Sequence, residues 1–174
     1  MKMTELFIAQ LERETPISRR VLERVPEGRP EWKPHEKSMP LGYLATLVAI
    51  MPSWIAMAVL QDSLDVSPAG GSSNRPGPWK TARDLVRMLD DAAAKAREAL
   101  GKTTDEHLVT MWRLLAAGRV VDESARHVVI SDNFSHAAHH RGQLTVYLRL
   151  NGVPVPSVYG PTADEKTFQG AGVR

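Results

Sequence analysis

Ser131-Asp132-Asn133-Phe134-Ser135-His136-Ala137-Ala138-His139-His140-Arg141-Gly142-Gln143 is the stretch that decides the fold. Three of the chain's six histidines fall within five residues of it. No proline interrupts it, and it reads as part of a helix from near Ser124 to about Asn151. Gly152 stops that helix, and Pro154 and Pro156 prevent its continuation. On a helix His136 and His140 stand one turn apart on one face. Two imidazoles at that spacing can share a metal ion. The same face carries Val129, Asn133, Gln143, Leu144 and Tyr147, so it looks inward. Buried polar rings need partners. Either the pair shares a divalent metal, or it is satisfied by hydrogen bonds to Gln143, water or a carbonyl. Gly142 costs roughly 1 kcal/mol against alanine in a helix interior, which predicts close backbone packing beside the pair. His139 and Arg141 point off that face and are expected to meet carboxylates or an adjacent subunit. His35, His107 and His127 are isolated and read as surface or loop histidines.

Three more helices are expected upstream. Residues 4 to about 25 place Leu6, Ile8, Leu11, Ile17, Val21, Leu22 and Val25 near a 3.6-residue period, with Thr4 as N-cap. Pro16 conflicts with that helix at a cost of about 3 kcal/mol and predicts a kink or a restart. Trp32, in an extended loop, is expected to pack across the bundle end. A second helix is read from a Ser38 cap, with Pro40 in its first turn, to about Gln61. A third runs from Thr81 to about Leu100, with Gly101 as its stop. Between them residues 62–79 form a long Ser/Gly/Pro-rich loop, a linker or a lid. Leu108–Leu114, Ala117-Gly118 and Arg119–Val121 suggest a two-stranded ribbon lying against the helices. The sum is an all-α, four-helix bundle in one domain, 1–174, with a long loop between helices 2 and 3 and a short ribbon before helix 4. The tail Val153–Glu165 reads as a packed strap, and Thr167–Arg174 as frayed.

Composition narrows the function. A length of 174 residues suits one core, and 43% apolar with 24% charged content is ordinary for a globular protein. The net charge of +2 is spread over the chain, with no basic block to suggest nucleic acid. With no cysteine, disulfides, thiolate metal sites and cysteine nucleophiles are excluded. Neither a signal peptide nor a membrane span is read, and a cytoplasmic location is expected. No phosphate loop, Ser-His-Asp order or paired-carboxylate site stands out, and no catalytic residue is assigned.

His136-Ala137-Ala138-His139-His140-Arg141-Gly142-Gln143 resembles the H-x-x-H-H-R-G-Q signature of the DinB-like (YfiT-like) family of metal-dependent four-helix-bundle proteins. Trp32-Lys33-Pro34-His35-Glu36-Lys37-Ser38-Met39, Leu41-Gly42-Tyr43-Leu44-Ala45 and Val153-Pro154-Val155-Pro156-Ser157 look like the same family. The resemblance implies a homodimer and three histidines on a zinc or nickel ion, two of them matching His136 and His140. It also implies thiol S-transferase or isomerase activity in some members. One departure stands out. The family's helix-2 histidine position is occupied here by Leu47. Three protein ligands and an open position are typical of catalytic zinc, and two histidines hold an ion weakly.

The expectation is therefore a DinB-like protein of unassigned activity with a degenerate site, its metal weakly held or absent. One alternative is a metal-dependent thiol S-transferase or hydrolase, with a third ligand from elsewhere. The other is a non-catalytic binder of a small molecule or thiol in a pocket of Leu47, Met51, Trp54, Gln143 and Tyr147.

Overall fold

The computed structural model describes residues 1–69, 71 and 79–166. Of the expected lid-or-linker loop 62–79, residues 70 and 72–78 lie outside the described residues, while Ser63–Asp65 within it form a strand and not loop; the tail Thr167–Arg174 lies entirely outside. The protein is mostly helical, with six helices and a small three-stranded sheet among the described residues. In order they are α1 (Met3–Leu22), α2 (Leu41–Ile50), α3 (Pro52–Leu60), β1 (Ser63–Asp65), α4 (Ala82–Lys102), α5 (Asp105–Leu108), β2 (Met111–Ala116), β3 (Arg119–Ala125) and α6 (Arg126–Leu150).

Helix α1 runs through Pro16 without a restart. Pro16 lies on the exposed side, and Thr15 Oγ1 donates to the Leu11 carbonyl at 2.7 Å instead of capping a new helix. Thr4 is not the cap. It is buried in the first turn, and the free N–H groups of Met3 and Thr4 donate to the carboxylate of Asp105 at 2.9 and 3.1 Å. A negative charge at a helix N-terminus complements its dipole, so α5 pins the start of α1. The buried stripe of α1 is Phe7, Leu11, Ser18, Val21 and Leu22. Leu6 is exposed and Ile17 half-buried, so the true stripe is rotated from the expected one.

The expected second helix is two helices. The α2–α3 pair is bent by 50° at Met51. Pro52 causes the break: it has no N–H to give, and its ring crowds the preceding turn. Ser53 Oγ donates to the Ile50 carbonyl at 2.7 Å across the junction. Pro40, not Ser38, stands at the N-cap of α2. Among the described residues no single helix is long and apolar enough to cross a membrane, and most apolar residues of α2 and α3 are core.

Thr81 and Asp84 close a reciprocal capping box on α4. That helix passes through Gly101 to Lys102, so Gly101 is not its stop. The ribbon is present as β2 and β3, joined by Ala117-Gly118 at φ 50° and 75°. A third strand, β1, pairs parallel to β2 with Leu64 opposite Leu114. Asp65 at its end accepts from the Ala117 and Gly118 N–H groups at 3.2 and 2.8 Å, fastening the turn. Strand β3 takes Ser124 and Ala125, which delays α6 to Arg126. Arg126 is buried and donates to the Ala58 and Gln61 carbonyls, both at 2.5 Å, at the end of α3. A cation there satisfies orphan carbonyls and the helix dipole together. Gly152, at φ 71°, ends α6 in the left-handed conformation that glycine adopts without strain.

The core divides in two. One apolar cluster holds Val21, Leu22, Leu44, Leu85, Leu144 and Leu148. The other holds Phe7, Leu11, Ile55, Leu100, Ile130 and Phe134. Along α1 and α6 these clusters are separated by Glu14, Ser18 and Arg141. Trp32 packs on the first cluster, its ring edge-on to Tyr147 at 5.5 Å. The strap after α6 is also bound: Glu165 accepts from Arg20, Arg24 and the Ser157 N–H.

Candidate functional site

Helix α6 sets its histidines by periodicity alone. The rings of His136 and His140 lie 4.5 Å apart between centroids, and their Nε2 atoms are 2.7 Å apart. His140 is buried and His136 is exposed on one side. His140 Nδ1 meets Gln143 Oε1 at 2.8 Å. An amide oxygen only accepts, so His140 carries its proton on Nδ1 and its Nε2 accepts from His136 Nε2–H. Trp54 on α3 lies 5.7 Å from the His136 ring. Partial burial, then the charges of His140 and His139, lower the His136 pKa below the usual histidine value.

Four expected site residues therefore come together: Trp54, His136, His140 and Gln143. Leu47 is half-buried on α2, which packs on α6. Met51 is fully buried at the helix break, and its carbonyl accepts from Asn133 Nδ2 at 3.1 Å. Tyr147 is committed elsewhere, to Trp32 and to the Met39 carbonyl at 3.1 Å. Among the described residues no group of three or more His, Cys, Asp and Glu is placed to hold a metal ion. His107 and His127 bond to carbonyls of Val59 and Leu108, and exposed His35 accepts from the Lys37 N–H.

Gly142 does not mark close packing. A Cβ built there meets nothing within 4 Å, and the residue is exposed. The close approach is at Gly42 on α2, where a Cβ would lie 2.9 Å from Pro30 Cβ and 3.0 Å from the Pro30 carbonyl oxygen.

Beside the pair is a polar cluster that sequence reading reached only through Arg141. That residue is 1% exposed. Its guanidinium donates to Glu14 Oε2 at 2.6 Å, to Ser18 Oγ at 2.9 Å and to the Tyr159 hydroxyl. Tyr159 in turn donates to Glu14 Oε2 at 2.7 Å. Burial pushes the Glu14 carboxyl up, but hydrogen bonds from Tyr159 and Arg141 and the nearby cations outweigh it, and its pKa is lowered. The Tyr159 hydroxyl is raised, by burial first and by donation to Glu14. A signal for this cluster did exist. Phe7, Leu11, Glu14, Ser18, Val21 and Val25 step by four and three residues, as do Ile130, Phe134, Ala137, Arg141, Leu144 and Leu148. Glu14 and Arg141 sit at core positions of their own helices.

Comparison with known proteins agrees with this architecture. The DinB family model matches residues 127–171. The chain is similar to a DinB-like protein of Bacillus cereus ATCC 10987, with a TM-score of 0.66 at 21% identity over 89% of this chain and 97% of that one. It is also similar to a Bacillus subtilis DinB-like protein, YjoA, with a TM-score of 0.65 at 18% identity over 93% and 99% of the two chains. An uncharacterized protein of Bacillus subtilis (strain 168), YrdA, is 53% identical over 30 residues, 17% of this chain. That match spans 18% of YrdA. The chain thus has the DinB-like fold, and the resemblance to the DinB family read from the signature is shown.

Proposed function

We propose that the chain is a DinB-like four-helix-bundle protein, with α1, α2–α3, α4 and α6 as its rods and a histidine pair left over from a metal centre. The donor set carries this reading. The two imidazoles bond to each other, His140 also bonds to Gln143, and no third metal-binding side chain joins them among the described residues. Catalytic zinc generally takes three protein ligands. Two neutral rings do not fit that requirement, and the position where the family's third histidine is expected holds Leu47. No reaction step is assigned to a metal here.

A second reading, a metal-dependent thiol S-transferase or hydrolase, has one observation in its favour. Gln143 fixes the tautomer that leaves the His140 Nε2 unprotonated, as partners of metal-bound histidines do, although that nitrogen accepts from His136 in this structure. Elemental analysis of untagged protein purified without chelator separates the two, run beside Leu47→His. The remnant reading expects far less than one metal per native chain and near-stoichiometric metal in the variant. Tight stoichiometric metal in the native protein overturns it. Metal in neither means that more than one ligand has been lost.

A further inference from the structure

We propose that Asn151-Gly152 is a latent self-modification site: the folded end of α6 holds off deamidation of Asn151, which proceeds once that end opens. Asn-Gly occurs once in the sequence. The chemistry needs only water. The Gly152 backbone nitrogen attacks Asn151 Cγ, the Cγ–Nδ2 bond breaks, and the amide nitrogen leaves as ammonia with the glycine's proton. The resulting succinimide takes up one water. Opening at Cγ gives aspartate; opening at the main-chain carbonyl gives isoaspartate, which routes the chain through the side chain. A glycine in second place favours the attack, because no Cβ crowds the nitrogen.

Three features of the structure oppose the first step. Ring closure requires the Gly152 nitrogen to eclipse Asn151 Cβ across the Cα–C bond. Asn151 has ψ 10°, so that nitrogen eclipses the Asn151 nitrogen instead. The turn is also fixed: the Gly152 N–H donates to the Arg149 carbonyl and the Val153 N–H to the Leu148 carbonyl, both at 3.0 Å. Finally, the side-chain amide is held from both ends. Asn151 Nδ2 donates to the Tyr147 carbonyl at 2.9 Å, and Arg29 Nη1 donates to Asn151 Oδ1 at 3.0 Å. Solvent does not limit the reaction, since Gly152 is exposed and Asn151 half-buried. Geometry holds the amide back, and geometry at a helix end is lost in local openings that leave the core intact.

The position gives the product its effect. This turn joins α6 to the strap that carries Tyr159 and Glu165 onto Arg141 and α1. Aspartate at 151 loses the Nδ2 bond and puts a negative charge at a helix C-terminus, where the dipole disfavours it. Isoaspartate adds a methylene to the main chain between helix and strap.

Full-length protein incubated at mildly alkaline pH, then digested and mapped by mass spectrometry, tests this. In guanidinium chloride Asn151 is expected to convert to aspartate and isoaspartate. In native protein the rate is expected to be at least about tenfold lower, the ratio that a local opening free energy of about 1.4 kcal/mol gives. Equal rates in the native and unfolded chains overturn the proposal, as does the absence of conversion in denaturant. Arg29→Leu changes an exposed loop residue. It is expected to raise the native rate about two- to tenfold, the range set by one net hydrogen bond. An unchanged or lower rate in that variant overturns the clamp on the amide.

Discussion

Arg141 on α6 and Glu14 on α1 form an ion pair, 2.6 Å apart, in the layer between the two apolar clusters. The arginine side chain is 1% exposed and the glutamate 12%, so water screens neither well. Such a pair is costly to break from one side, because the remaining charge stays buried. Glu14→Ala is expected to destabilise the protein by about 3–5 kcal/mol, the usual range for breaking a buried pair. Glu14→Leu combined with Arg141→Met replaces both charges by apolar groups and is expected to recover most of that loss. Urea unfolding of the singles and the double measures it. A Glu14→Ala loss below about 1 kcal/mol would place this pair with weak surface bridges.

Two glycines make a paired test of local space. Gly42→Ala puts a methyl 2.9–3.1 Å from Pro30 atoms, two of them backbone, while the Gly42 N–H already donates to the Pro30 carbonyl at 2.8 Å. A backbone neighbour gives way poorly, and overpacking of this kind costs about 1–3 kcal/mol. Gly142→Ala meets nothing within 4 Å on an exposed helix face. Alanine gains roughly 0.5–1 kcal/mol there from propensity and a less mobile unfolded chain. Thermal melts should therefore move in opposite directions. Equal shifts would show that the Pro30 approach does not constrain α2.

The long elements were legible because their signals are local. Thr81 announced α4, and Gly152 with Pro154 announced the end of α6. The misses were of two physical kinds. Some needed a partner distant in sequence: three-residue β1 exists only because β2, some fifty residues on, supplies its hydrogen bonds. Others needed a polar residue to be read as core. Glu14, Ser18 and Arg141 keep the spacing of a buried stripe, yet their chemistry reads as surface until the partner helix is in place. The histidine pair was legible from spacing and signature. Trp54, read as lining the same pocket, does join the pair, although the Pro52 break in its helix was not read.

Glu165 makes the strap sensitive to acid. The Ser157 N–H and the Arg24 and Arg20 guanidinium groups lower its pKa from 4.5 to about 2. A carboxyl lowered on folding stabilises the native state fully above its unfolded value. That stabilisation is lost as pH falls from about 4.5 toward about 2, because the unfolded chain then binds the proton first. Native protein is expected to melt higher than Glu165→Gln at pH 7, and the gap should close across that window. Asp164, held low by Arg149, titrates in both proteins and cancels in the comparison. A gap that persists unchanged at pH 2 would assign the strap's stability to packing alone.

The tautomers of the histidine pair follow from one amide oxygen. Gln143 Oε1 can only accept, so the proton lies on His140 Nδ1, and His136 must then donate through Nε2. Long-range ¹⁵N–¹H spectra of the neutral rings should show His140 as the Nδ1–H form and His136 as the Nε2–H form. Gln143→Leu removes the acceptor while keeping an apolar side chain of similar size. His140 is then expected to shift toward the Nε2–H form common in free imidazole. The His136–His140 bond can survive only if the roles of the two rings reverse. An unchanged His140 spectrum in the variant would show that the pair orders itself without Gln143.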